Sequence, residues 1–363
     1  MTRANDVLVG EWTIEALPRV LDVIAHTRLG RDVDELVRQR LVAGVRAGCA
    51  SGALPMDVFA LICQTCCAMV TRRRGHRHRG DKGGEASDDA DDESDEDEDG
   101  NADAGTRDGT RAWIDVLEMV SETTAKTRAS AGRATRRAGR LNATFASSLI
   151  DAYMNKPSTG AICTALVLLT SIVGAGDEST SSRVVQAIIH VANAATEADI
   201  SNFIDASEDE DVRCLVSVLV SSKDPLTVAS INLLRVITSF RREVYASVIG
   251  GLLQQMPSRT NAIEALEQIM QREQLTTEEK SKISEHIQNA VRRVPELSHS
   301  MGKVASSRVL RILAPLATMN AVNELIEKDE ISSVVSGLGL VKEMLKCGLN
   351  VSQGMQALHR VLI

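Results

Sequence analysis

Apolar residues along this chain recur at spacings of three and four. In RDVDELVRQRLVAGVRAG, Val33, Leu36, Val37, Leu41 and Val45 fall on one face of a helix. The same spacing puts Trp12, Leu17, Val20, Leu21 and Ile24 on a preceding helix, with Pro18 as a kink or restart. It puts Val58, Leu61, Ile62, Cys66 and Val70 on a following helix that opens at Pro55. Residues 1–70 therefore read as a three-helix N-terminal unit.

The pattern stops at residue 71. From 71 to 109 the chain runs from Arg-rich to Gly-rich to acidic, and between Gly80 and Gly109 no apolar residue exceeds Ala in size. Such a segment buries too little surface to offset chain entropy, so a disordered linker is expected. From 110 to 363 helix follows helix. RAWIDVLEMVSETTAKT is amphipathic, and SAGRATRRAGR is small and basic, a loop or an exposed helix. After Pro157, apolar helical stretches are expected over 160–173, 181–195, 209–221, 225–240, 242–255, 259–272, 277–294, 304–319, 321–327, 331–347 and 350–362. Asp224-Pro225 reads as an N-cap with Pro at the first helical position, Thr276-Thr-Glu-Glu279 as a capping box, and Lys346-Cys-Gly348 as a helix end. The fold class is all-α.

The helices pair at a loose period of about 35–45 residues, joined by short loops. The clearest pair is DEDVRCLVSVLVSSKDPLTVASINLLRVITSF (209–240). Its first helix carries Val212, Leu215, Val216 and Leu219, and its second Val228, Ile231, Leu234 and Ile237. This pattern resembles armadillo and HEAT-type helical repeats over roughly residues 140–363. The match is one of pattern, not of motif, and an irregular helical bundle is the alternative architecture. The resemblance implies an α-solenoid scaffold with a concave binding face. The second helices of successive pairs would line a groove that accepts a partner helix or an extended segment. Arg235, Arg241 and Arg242, at the end of one such helix, are candidate contacts, as are Arg292 and Arg293.

Composition sharpens this picture. Hydrophobic residues are 44% of the 363, enough for a large core, but aromatics are only 2%, so the core is aliphatic. Scarce aromatics weigh against strands and against a small-molecule pocket. Residues 81–99 carry twelve acids against one Lys, a local charge of −11, which leaves +3 for the rest of a chain whose net charge is −8. The overall acidity is thus a property of one segment.

Five Arg, two His and three Cys crowd into CQTCCAMVTRRRGHRHR (63–79). Cys63, Cys66, His76 and His78 have the residue types of a Cys2His2 zinc site, but the cysteines sit mid-helix and five arginines repel a cation. Core thiols running into a linker are the preferred reading, with no metal and no cofactor. The seven Cys, several in apolar runs, fit a reducing intracellular compartment, and no secretory leader is read at the N-terminus. The apolar run 161–176 falls short of the roughly 20 residues a bilayer span needs. No membrane partner is expected.

Arg72, Arg73, Arg74, Arg77 and Arg79 form one basic cluster, and Lys126, Arg128, Arg133, Arg136, Arg137 and Arg140 a second. They suit phosphates or an import receptor, or neutralisation of the acidic run in cis. Ser87 and Ser94, followed by acids, resemble casein-kinase-type acceptor sites. Nucleus is favoured over cytoplasm. No phosphate-binding loop, dinucleotide fingerprint, HExxH or nucleophile elbow is present, and the seven His, His190 among them, are scattered. The function expected is non-enzymatic: a protein–protein interaction scaffold within a multi-protein complex. The alternative is a nucleic-acid- or chromatin-associated protein using the Arg clusters at 72–79 and 128–140, and composition leaves a viral assembly role open.

Overall fold

A computed structural model describes residues 12–13, 16–27, 29–74, 99–122, 124–155, 161–174, 178–222, 224–256, 258–259, 261–271, 274–300, 302–328 and 330–351. Among the described residues every regular element is a helix, and the chain divides into two compact units, 1–215 and 216–363. The first holds α1 (Leu17–His26), α2 (Arg31–Ala50), α3 (Met56–Arg74), α4 (Asp99–Ser121), α5 (Ala125–Leu141), α6 (Ala143–Asn155), α7 (Ile162–Thr170), α8 (Glu178–Ala192) and α9 (Glu197–Ala206). Helix α10 (Asp209–Ser221) crosses the division. The second unit holds α11 (Val228–Phe240), α12 (Arg242–Gln255), α13 (Ala262–Met270), α14 (Thr277–Lys282), α15 (Ser284–Arg292), α16 (Val294–Ser300), α17 (Gly302–Leu313), α18 (Met319–Ile326) and α19 (Ile331–Lys346).

Contacts among the described residues run across the expected division between 1–70 and 110–363. Helix α3 packs on both α4 and α5. Trp113 of α4 is fully buried and its Nε1 donates to Asp34 Oδ1 of α2 at 2.9 Å. A buried indole N–H needs such an acceptor, and the contact locks the N-terminal helices to those after the acidic run. Within the expected linker 71–109, α3 continues to Arg74 and α4 begins at Asp99. Residues 75–98, with Arg77, Arg79, Ser87 and Ser94, lie outside the described residues.

Cys63, Cys66 and Cys67 sit in the buried face of α3, at 0%, 0% and 2% exposure. Burial pushes the Cys67 thiol up to about 12 and raises its two neighbours as well. Thiols held protonated this way act as small hydrophobes. The run 161–176 supplies α7, whose Ala165 to Leu169 are buried. No helix among the described residues is long and apolar enough to cross a membrane.

In the second unit, side-chain ties join residues 32 to 41 apart in the chain. Asn261 donates to the Leu226 carbonyl, 35 residues back, and Lys280 Nζ to the Pro315 carbonyl, 35 residues on. The Arg259 guanidinium, 6% exposed, donates to the carbonyls of Leu219, Val220 and Asp224. It thereby satisfies the orphan acceptors at the end of α10. Arg242 forks onto Glu279, 37 residues on, and stacks 4.2 Å over the Tyr245 ring.

Glu279 also closes the capping box that the sequence indicated. Thr276 Oγ1 accepts from the Glu279 N–H, and Glu279 accepts from the Thr276 N–H. The hydrogen bond from Arg242 holds the Glu279 carboxyl down at about 2, below its ordinary 4.5. A carboxyl lowered by folding stabilises fully above the unfolded value and loses that contribution as pH falls. Wild type is therefore expected to lose about 1 kcal/mol more than Glu279→Gln between pH 4.5 and 2, after discount for a partly exposed pair. Urea midpoints of both proteins at pH 5, 4, 3 and 2 check this. Parallel pH profiles count against it.

Several elements differ from the sequence pattern: α9 (Glu197–Ala206) and α16 (Val294–Ser300) form where no separate helix was expected, α17 ends at Leu313, and the expected helix 350–362 lies outside the described residues beyond Val351. Helix α11 starts at Val228, not Pro225, because Thr227 Oγ1 accepts from the Ser230 N–H and caps it. The stretch 277–294 breaks at Ile283, whose buried side chain lies where a Cβ on Gly250 would come within 2.9 Å. The Lys346-Cys-Gly348 end behaves as expected. Gly348 adopts φ +70, and the Leu349 N–H donates back to the Met344 carbonyl.

Candidate partner-binding groove

The arginines singled out by sequence divide into two groups. Arg72 donates to the carbonyls of Ala25 and His26 at the end of α1, so it is an internal tie. Arg73 and Arg74 form the last turn of α3. Arg136 forks between Glu208 at 2.6 Å and Asp211, while Arg133 lies 3.8 Å from Glu208. Arg137 and Arg140 are exposed. Arg235 spends its fork on Asn232 Oδ1 of its own helix, at 3.2 and 2.6 Å. Arg241 occupies the junction of α11 and α12, and Arg242 binds Glu279. Arg292 pairs with Glu324 at 3.0 Å. Arg235, Arg242 and Arg292 thus make contacts within the chain.

A concavity that the sequence did not indicate lies within the second unit. It encloses about 340 Å³ between the end of α13, the start of α14, and the end of α17 with the turn after it. Three local sequences build it. AIEALEQIM gives α13 an amphipathic face, with Ala265, Leu266 and Ile269 buried and Glu267 and Met270 turned to the side. The Thr276 cap then restarts the chain as α14 and presents Lys280 one turn in. RVLRIL in α17 buries Val309, Ile312 and Leu313 and leaves Arg308 and Arg311 one turn apart.

The floor is apolar: Leu275, Ile312 and Leu316 are 4–6% exposed, with Met270 and Pro315 beside them. The rim is polar. Arg308 neutralises Glu267 with Nε 2.9 Å from Oε2. Lys280 Nζ gives one of its three donors to the Pro315 carbonyl at 2.8 Å. Arg311 makes no ion pair among the described residues, and the exposed Gln271 and Gln274 line the same groove. The groove therefore carries an uncompensated positive charge over an apolar floor. That combination suits a chain segment with an apolar side chain beside carboxylates. Among the described residues no group of three or more His, Cys, Asp or Glu is arranged to hold a metal ion. His190 is half-buried in the last turn of α8.

No protein-family model matches the sequence, and no curated protein matches it. Among solved structures, a crystal structure described as an engineered protein aligns over 63% of this chain and 95% of its own, at 15% identity and a TM-score of 0.31. At that score the likeness carries no argument, so the all-helical fold and the groove stand on their own geometry.

Proposed function

We propose that this protein is a non-enzymatic protein–protein interaction scaffold whose second unit is a HEAT-like stack. The observation that carries the reading is the groove, with Arg311 and Lys280 over an apolar floor. Ties of 32 to 41 residues support the stack, since each joins one helix pair to the next at close to one repeat length. Burial of an apolar anchor on Leu275, Ile312 and Leu316 supplies affinity, and the two cations fix the orientation of an acidic segment.

The test is affinity purification of the full-length protein, split into nuclease-treated and untreated halves, beside the Lys280→Glu/Arg311→Glu variant. A stoichiometric protein set is expected to survive nuclease and to fall at least tenfold with the variant. Arg311 lies on the rim and Lys280 gives up one hydrogen bond, to the Pro315 carbonyl, worth about 1 kcal/mol, so the melting temperature should fall by only a few degrees. Loss of the set with nuclease, or full retention by the variant, counts against this function.

A further inference from the structure

A second concentration of exposed positive charge lies in the first unit. Helix α5, AKTRASAGRATRRAGRL, carries one Lys and five Arg and no acid. Its buried face is built from small residues, among them Ser130, Ala131, Gly132, Ala134 and Thr135. A Cβ on Gly132 would come 3.1 Å from Val167 Cγ1, so the helix lies close against α7 and is held rigidly. Lys126, Arg133, Arg137 and Arg140 are exposed. Their spacings of seven, four and three place them on one face, in a stripe roughly 21 Å long at about 1.5 Å per residue.

Folding gives most of this charge no return. Arg136, on the flank, is matched by Glu208 and Asp211, and Arg133 is partly matched by Glu208. Lys126, Arg137 and Arg140 have no ion-pair partner among the described residues. Like charges three and four apart on one helix repel, so the stripe destabilises α5 in isolation. By contrast, Arg183 faces Asp151 and Arg292 faces Glu324. A rigid rod of cations without acids is the complement of a polyanion.

We propose that the outer face of α5 binds the phosphate backbone of double-stranded nucleic acid. Three features favour this over an acidic protein segment. The cations stand in a row along the outer side of one helix. Three of its four cations are Arg, whose fork matches phosphate oxygens. No aromatic residue lies on α5 to stack a base, which points to the backbone of a duplex and not to the bases of a single strand. The stripe spans about six base-pair steps at roughly 3.4 Å each. Binding by charge alone is independent of base sequence. It is also separate from the groove, so either proposal stands without the other.

The test is fluorescence anisotropy of the full chain with a labelled mixed-sequence duplex of about 20 base pairs, from 50 to 200 mM KCl. Neutralising three to four phosphates predicts a slope of log K against log salt of about −3, a loss of roughly 40- to 150-fold over that range. Lys126→Gln/Arg137→Gln/Arg140→Gln is expected to flatten the slope to about −1 and weaken binding at least tenfold at 50 mM. Lys126→Arg/Arg137→Lys/Arg140→Lys should stay within a few fold of wild type. Circular dichroism melts confirm that both variants fold. No binding at 50 mM overturns the proposal, as does a Gln variant with an unchanged slope. So does tighter binding to a polyglutamate chain, or to anionic vesicles contacted beside the exposed Leu141, than to the duplex at equal charge.

Discussion

Arg259→Met is expected to destabilise the second unit by about 3–5 kcal/mol, a large share of a typical domain's stability. The guanidinium is almost wholly buried and donates to three carbonyls at 2.6, 2.7 and 3.2 Å. It faces carbonyls and not a carboxylate in these bonds. Its value lies chiefly in satisfying the buried carbonyls of Leu219 and Val220. Burial alone lowers its pKa, with Asp224 opposing that, yet an arginine stays charged throughout the working range. Methionine fills the stem's volume and leaves the end of α10 with orphan carbonyls. Arg259→Lys keeps the charge but not the fork, and should cost about half as much. Urea denaturation followed by far-UV ellipticity measures both. A methionine variant within 1 kcal/mol of wild type would show that the carbonyls find other donors.

Gly251→Ala is expected to reverse the usual sign of its substitution. In an exposed helix interior, Gly to Ala gains about 1 kcal/mol. Here Gly251 lies within α12, and a Cβ on it would stand 1.9 Å from Val220 Cγ1. Val220 is β-branched and buried, at 7% exposure, and its Cβ too would lie within 3.3 Å, so a χ1 change alone does not open the space. Forcing α10 and α12 apart should cost about 3 kcal/mol, the upper range for overpacking. Val220→Ala removes the methyl in the way. The double variant Val220→Ala/Gly251→Ala should therefore be more stable than the sum of the two single changes predicts. Strict additivity would mean that the clash is relieved by a shift of the whole helix.

Much of this architecture is legible in the chain because it depends on local chemistry. Val33 to Val45, the Thr276–Glu279 box and the Gly348 turn all act within a few residues of themselves. The missed boundaries are tertiary in origin. Nothing in KSKISEHIQ marks a break at Ile283; the break comes from the fit of that side chain against Gly250. Asp224-Pro225 reads as a helix start, yet Thr227 offers the better-placed oxygen. The acidic run reads as a divider because composition reports where a chain is solvated and not where it returns. Trp113 and Asp34 decide that, across the run. The groove was invisible for the same reason: Glu267, Lys280 and Arg311 belong to three helices whose alignment no spacing encodes. The arginines at 235 and 242 stand out in the sequence by charge alone, yet Glu279 neutralises Arg242 and the neutral Asn232 amide takes up the donors of Arg235.

The scarcity of aromatics has one further use. Both tryptophans, Trp12 and Trp113, belong to the first unit, and the second contains none. Indole emission therefore reports on the first unit alone, with Trp113 moving from a dry, hydrogen-bonded site into water as that unit opens. Backbone ellipticity reports on both. A single denaturation followed at the two wavelengths resolves whether the halves melt together or in turn, with no label, truncation or added reporter.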